Sequence, residues 1–240
     1  DSANGDLKHA YWDGTNWHIE IIDSRDTTGA FSAIAVDGSS KVHIVYFNDT
    51  KDDLKYAYGS SGDWDIQTID GGGGVSAGLY PALVLDALKV PHVSYYDYSC
   101  KCLKYAKKTG ADTWTIQTVD NSVVGVGLYT SIAIDSGGVP SISYYDQANT
   151  NLKFATLTGS TWAVQTVDSS GDVGMFTSLS IDRANTPHIS YYSNTGDNLK
   201  YAKRSGASWT IQEVQTSGDA GLYTSLSVDS DGVPHIAYLV

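Results

Sequence analysis

From Tyr129 to Ile134 the chain alternates small and branched side chains, with Ser131 and Ala133 set against Ile132 and Ile134. A period of two predicts a strand with differently filled faces. The turn Asp135-Ser136-Gly137-Gly138 closes it, and a second strand is expected from Ser141 to Tyr145, ending in the loop Asp146–Thr150. A third follows over Leu152–Ala155 and, after a Gly-containing turn, a fourth over Trp162–Val167, before a Gly-rich loop through Gly171. The 3.6-residue periodicity of helices is absent. Four short antiparallel strands are predicted, punctuated by turn residues.

This unit recurs. Trp17, Trp64, Trp114, Trp162 and Trp209 are separated by 47, 50, 48 and 47 residues. Upstream of each stands one phrase: Leu7-Lys-His-Ala10, Leu54-Lys-Tyr-Ala57, Leu103-Lys-Tyr-Ala106, Leu152-Lys-Phe-Ala155 and Leu199-Lys-Tyr-Ala202. Phe31, Tyr80, Tyr129, Phe176 and Tyr223 each follow a glycine by two residues and precede an Asp by six. Four-stranded repeats of 40–50 residues are the signature of propeller blades. The expected fold is therefore all-β: one five-bladed β-propeller over residues 1–240, with full blades near 30–77, 78–126, 127–173 and 174–220. Residues 221–240 and 1–29 supply two strands each, so the ring is expected to close through a composite blade. Near the axis the small face of one innermost strand is expected to receive the branched face of the next. The recurrent Trp is expected to anchor each outer strand on the adjacent blade.

Composition narrows function. The formal charge is −12, from 15 basic and 27 acidic residues, with no basic stripe to neutralise phosphate, so a nucleic-acid partner is not expected. No apolar run reaches the 18 or so residues of a membrane span. The start, Asp1-Ser-Ala-Asn-Gly5, has neither initiator Met nor signal peptide, as expected of a mature fragment or a segment of something longer. Cys100 and Cys102, two residues apart, are expected as thiols or a local bridge rather than a zinc site.

Candidate chemistry lies at one end of the blades. Phe31, Tyr80, Tyr129, Phe176 and Tyr223 open the innermost strands and are expected at the mouth of the central channel, where flat rings either plug the channel as core or suit sugars. Two sets of loops on the same side carry Asp97 and Asp146, and Asp23, Asp70, Asp120 and Asp168; Asn48, Ser193 and Gln215 replace the acid in other copies. Such oxygens can hydrogen-bond sugar hydroxyls or ligate Ca²⁺, favour turns in their own right, and can pair with the recurrent Lys of strand three. No resident cofactor is expected beyond that Ca²⁺. His43, His92, His188 and His235 share one repeat position on the second strand, too far from the axis to form a metal ring; bonding to the nearby repeat Asp, or simple strand packing, is expected. No catalytic residue is nominated, because the departures from symmetry (Cys100, Cys102, Trp12, Pro81 and the Gly71–Gly74 run) form no catalytic constellation. Asn48-Asp49-Thr50 is a glycosylation sequon in an expected exposed loop.

The phrases Tyr129-Thr-Ser-Ile-Ala-Ile-Asp135, Pro187-His-Ile-Ser-Tyr-Tyr192, Leu199-Lys-Tyr-Ala202 and Trp209-Thr-Ile-Gln212 resemble the repeats of bacterial and archaeal secreted or surface propeller proteins. The five-fold architecture is similar to that of tachylectin-2-like lectins, without their local motifs. Trp12-Asp-Gly-Thr-Asn-Trp17 loosely resembles fucose-binding propeller lectins; those carry an Arg and Glu pair per pocket, whereas Arg25, Arg183 and Arg204 occupy non-equivalent positions here. The near-identical copies, whose equivalent sites would give avidity, point to an extracellular or cell-surface, non-catalytic, glycan-binding module with repeated inter-blade or channel-mouth pockets. The alternatives are a structural subunit of a surface layer or appendage engaging other protein subunits and, third, a glycan hydrolase or lyase.

Overall fold

The structure, a computed structural model, describes residues 5–72 and 76–240; Asp1, used in the expected closure, and Gly73 and Gly74 of the glycine run lie outside them. All the elements are strands. An N-terminal ribbon pairs β1 (Leu7–Trp12) with β2 (Trp17–Asp23). The first blade holds β3 (Thr28–Val36), β4 (Val42–Asn48), β5 (Asp53–Ser60) and β6 (Asp63–Asp70), and the second β7 (Ala77–Leu85), β8 (Pro91–Asp97), β9 (Cys102–Lys108) and β10 (Trp114–Asp120). The third comprises β11 (Val126–Ile134), β12 (Pro140–Asp146), β13 (Asn151–Thr158) and β14 (Thr161–Asp168). The fourth comprises β15 (Val173–Ile181), β16 (Pro187–Ser193), β17 (Asn198–Ser205) and β18 (Ser208–Gln215), and a C-terminal ribbon pairs β19 (Leu222–Val228) with β20 (Pro234–Leu239). Every sheet is an antiparallel meander in chain order.

The repeated phrases form the core. The second strands β4, β8, β12 and β16 are buried along their whole length. Leu54, Leu103, Leu152 and Leu199 of the third strands are fully buried, as are Ala57, Ala106, Ala155 and Ala202 three residues on. Four of the five recurrent Trp anchor neighbouring units as expected; Trp17 is exposed and meets Trp12 of its own ribbon. Trp114, Trp162 and Trp209 each meet the strand-three ring of the preceding blade (Tyr56, Tyr105, Phe154) edge-on, with centroids 5.1 Å apart. Trp64 meets His9 of the N-terminal ribbon in the same way at 5.4 Å.

The composite blade is a correction. Among the described residues β1–β2 and β19–β20 remain separate two-stranded sheets, and they do not close the ring. In the intact blades a short hairpin ties the second strand to the third, and in the first three an oxygen at its start fixes the turn. Asn48 Oδ1 accepts from the Thr50 and Lys51 amides, Asp97 Oδ1 from Ser99 and Cys100, and Asp146 Oδ1 from Asn149. Among the described residues no such hairpin joins β20 to β1, and Val240 stands at the repeat position of that oxygen. Joining them means closing a loop through the entire chain for one short ladder, which is costly in chain entropy.

Candidate functional site

Each innermost strand begins further upstream than alternation alone predicts, because it runs through a bulge. In the third blade Leu128 pairs with Tyr145 and Ser131 with Ser143, leaving Tyr129 and Thr130 opposite Tyr144. The same slip occurs in β3, β7, β15 and β19. Bulges re-aim side chains, and this one turns the ring out of the strand. Gly127 permits it: its φ is +108°, and a Cβ there would lie 2.8 Å from the Cα of Leu103.

Beyond the glycine, the aromatic residue itself takes the left-handed conformation, with φ of 49° at Phe31, 52° at Tyr80, 54° at Tyr129, 52° at Phe176 and 52° at Tyr223. For a residue with a Cβ this costs roughly 1–2 kcal/mol per position. Glycine would adopt it freely, so local backbone stability does not explain the ring. Five such strained positions at one end of the molecule are the pattern expected of a functional surface.

The rings form a continuous arc. Centroids are 4.8 Å apart for Phe31–Tyr80, 4.8 Å for Tyr80–Tyr129, 4.6 Å for Tyr129–Phe176 and 4.5 Å for Phe176–Tyr223, each pair tilted by about half a right angle. They line a cleft of about 420 Å³ together with the residue after each ring. Two of those residues fix the spacing: Thr130 Oγ1 donates to the Tyr80 carbonyl at 3.0 Å, and Thr224 Oγ1 to that of Phe176 at 2.8 Å. Phe31 and Tyr223, at the ends, are 47% and 68% exposed, and the three between are half-buried. Burial, reinforced by the Tyr80 phenol, pushes the Tyr129 hydroxyl up, keeping it protonated as a donor. A second cleft of about 270 Å³ continues outward between the second and third blades, past Tyr96, Tyr98, Tyr145 and Gln147. Sequence reasoning did not nominate these residues, although the repeated Tyr-Tyr phrase before the loop was their visible signal.

The expected acids come to the same end of the blades, as the pairing of Ala77 with Asp97 requires. Their oxygens are engaged between blades. Tyr46, Tyr95, Tyr144 and Tyr191 donate to Asp23, Asp70, Asp120 and Asp168 of the preceding unit at 2.6–2.7 Å. Lys104 bridges Asp70 and Asp97 at 3.1 and 2.5 Å, and Lys153 bridges Asp120 and Asp146 at 3.4 and 3.3 Å. Lys200 holds Asp168 at 2.8 Å, and Arg25 holds Asp23 at 3.0 Å. None of the six acids lines the aromatic cleft. Among the described residues no three His, Cys, Asp or Glu side chains converge to hold a metal ion.

The remaining candidates resolve locally. His92, His188 and His235 bond the repeat acids Asp86, Asp182 and Asp229 at 3.2–3.3 Å, as expected. Cys100 and Cys102 are joined in a disulfide. The sequon is a correction: Asn48 is fully buried, its amide donating to Asp26 Oδ2 at 3.0 Å while its carbonyl fixes the turn.

No family model matches the sequence, and no curated protein does. Solved structures do. A lectin of Aleuria aurantia with bound Fucα1-6GlcNAc is 16% identical, with TM-score 0.60 over 98% of this chain and 80% of that one. The SapL1 lectin with α-methyl fucoside is 13% identical, with TM-score 0.60 over 93% and 78%. A GH43 β-1,3-galactosidase with galactodeoxynojirimycin is 9% identical, with TM-score 0.56 over 86% and 93%. The chain is a β-propeller. At these identities the likeness establishes the fold, which lectin and glycosidase propellers share, and leaves function to the site.

Proposed function

We propose that this propeller is an extracellular carbohydrate-binding module that lays a glycan along the aromatic arc. The observation that carries this reading is the arc itself: five rings held in a conformation that costs free energy, regularly spaced and facing solvent. Sugar rings present apolar C–H faces that stack on aromatic planes, while the phenols of Tyr80, Tyr129 and Tyr223 offer donors to sugar oxygens. The spacing gives several equivalent contacts to one extended chain, so affinity grows by multivalency. The lectin neighbours support this choice among propeller functions. An oxidising, extracellular setting suits the Cys100–Cys102 bond, and among the described residues no helix is long and apolar enough to cross a membrane. The acids seated between blades act in this scheme as the frame that holds the arc.

The test is titration calorimetry of the chain against a panel of neutral oligosaccharides, before and after chelation of divalent cations. Binding that survives chelation and is lost in Tyr129→Ala is expected; silence across the panel overturns the reading. A second reading, a subunit of an extracellular assembly, draws on the outer backbone edges of β1 and β20, which among the described residues pair with no further strand. Filaments or arrays of purified protein in electron micrographs, without glycan binding, favour it.

A further inference from the structure

A second cleft opens on the opposite end of the propeller, between the first and second blades. It holds about 470 Å³ and is walled by Tyr56, Tyr58, Val90 and Pro91, with His43, Asp37, Lys89 and Lys108 at its edges. It stands apart from the aromatic arc: the arc opens β7, whereas Lys89 lies in the turn after β7 and Lys108 ends β9.

Three features distinguish it from its counterparts around the fold. Lys108 is partly buried, lies over the rings of Tyr56 and Trp114 at 5.2 Å, and donates to Gln67 Oε1 and the Ala111 carbonyl at 2.6 and 2.5 Å. Among the described residues it has no carboxylate within ion-pair distance, unlike Lys104, Lys153 and Lys200. Asp65 and Asp112 act on it only at longer range, through Gln67, so a partly desolvated ammonium is left without a direct ion pair, and an incoming anion can supply one.

Lys89 occupies a left-handed position, φ +66°, whose equivalents are Ser40, Gly138, Asn185 and Gly232. Its Nζ reaches Ser39 Oγ at 2.5 Å, with Asp37 Oδ2 3.9 Å away. Buried His43 keeps Nε2 without a hydrogen-bond partner, 3.9 Å from the same Asp37 oxygen, where His92 and His188 close that bond. Lys89 and Lys108 coincide in this copy alone: the third blade has Gly138 and Leu157 at these positions, and the fourth Asn185 and Arg204. In a chain of net charge −12, two lysines line one aromatic-walled cleft of ligand size, with Asp37 as the acid among its lining residues.

We propose that this cleft binds an acidic sugar residue, its carboxylate between Lys89 and Lys108 and its ring against Tyr58. The site does not depend on the arc, and its test separates the two. Titration of the intact chain with trigalacturonate is expected to give binding roughly tenfold or more tighter than that of neutral galactotriose. Lys89→Gly and Lys108→Leu install the residues that the third blade already carries and so preserve the fold. Each is expected to weaken trigalacturonate roughly tenfold or more, with the thermal midpoint little changed, while Tyr129→Ala leaves the acid's affinity intact. Absence of trigalacturonate binding, equal affinity for acid and neutral sugar, or indifference to both lysine substitutions overturns the proposal. So does benzoate binding as tightly as trigalacturonate, or loss of the acid in Tyr129→Ala.

Discussion

Tyr144 of the third blade donates a 2.6 Å hydrogen bond to Oδ2 of Asp120, the last residue of the second blade, and both are buried. Lys153 approaches the same oxygen at 3.4 Å, and Tyr46–Asp23, Tyr95–Asp70 and Tyr191–Asp168 repeat the contact. Each blade is latched to the one before it by a phenol on a carboxylate. Tyr144→Phe keeps the ring and removes the donor, leaving a buried charge less well satisfied. The expected loss is about 1.5–3 kcal/mol of unfolding free energy, measured by urea titration with an unchanged slope. A loss below about 0.5 kcal/mol would mean that the latch contributes only packing.

These latches set the acid limit of the fold. Burial alone pushes Asp168 upward, but bonds from Lys200, Ser170 and Tyr191 outweigh it and hold the carboxyl at about 2, below its ordinary 3.8. Asp23 and Asp120 are lowered in the same way against their burial. A folded pKa below the unfolded one stabilises the protein above the unfolded value, and that stability drains as pH falls through the folded value. Stability is therefore expected to hold down to about pH 4 and fall towards pH 2, with Asp168 contributing on the order of 2 kcal/mol. Unfolding free energies across that range check it. Lys200→Met removes the strongest bond that lowers Asp168, so it is expected to reduce stability at neutral pH and to flatten the loss between about pH 4 and about pH 2.

Tyr223 separates strain from stacking. It has one arc neighbour, Phe176 at 4.5 Å, and is mostly exposed. Tyr223→Gly relieves roughly 1–2 kcal/mol of backbone strain and forfeits about 0.5–1.5 kcal/mol of ring contact, so the thermal midpoint is expected to hold or rise slightly. Glycan affinity is expected to drop in the same variant. Stability and binding moving together would argue that the ring serves the fold.

The Cys100–Cys102 bond spans two positions in the loop after β8, whose turn Asp97 already fixes. So small a loop removes little chain entropy, about 1–2 kcal/mol at most. Cys100→Ser with Cys102→Ser is therefore expected to melt within a few degrees of the parent protein. A collapse of the second blade's amide dispersion on reduction would contradict this.

The blades were legible because their signals are local and repeat. The Leu-Lys-aromatic-Ala phrase is the third strand, buried in the intact blades, and Trp64, Trp114, Trp162 and Trp209 each meet the unit before them, whereas Trp17 is exposed. The arc was legible in outline, from five rings placed two residues after five glycines, while the left-handed bulge that exposes them is a backbone event that alternation conceals. The acids were visible as a set, but their partners were not: Tyr144 sits 24 residues beyond Asp120 in another blade, and no short-range pattern joins them. Closure was expected because the two half-units are complementary in sequence. Complementarity specifies which edges match and supplies no tether to bring them together.

The contacts that unite the sheets run from each to its sequence neighbour, β3 on β7, β7 on β11, β11 on β15 and β15 on β19. Energetically the molecule is then a one-dimensional array with ends, in which each unit borrows cooperativity from two flanks and the terminal ribbons from one. Amide exchange should be slowest in the second and third blades and fastest in β1, β2, β19 and β20, grading outward from the middle of the chain. A mutation at one junction would divide the array into two blocks that melt apart, so the damage depends on its distance from the nearer end.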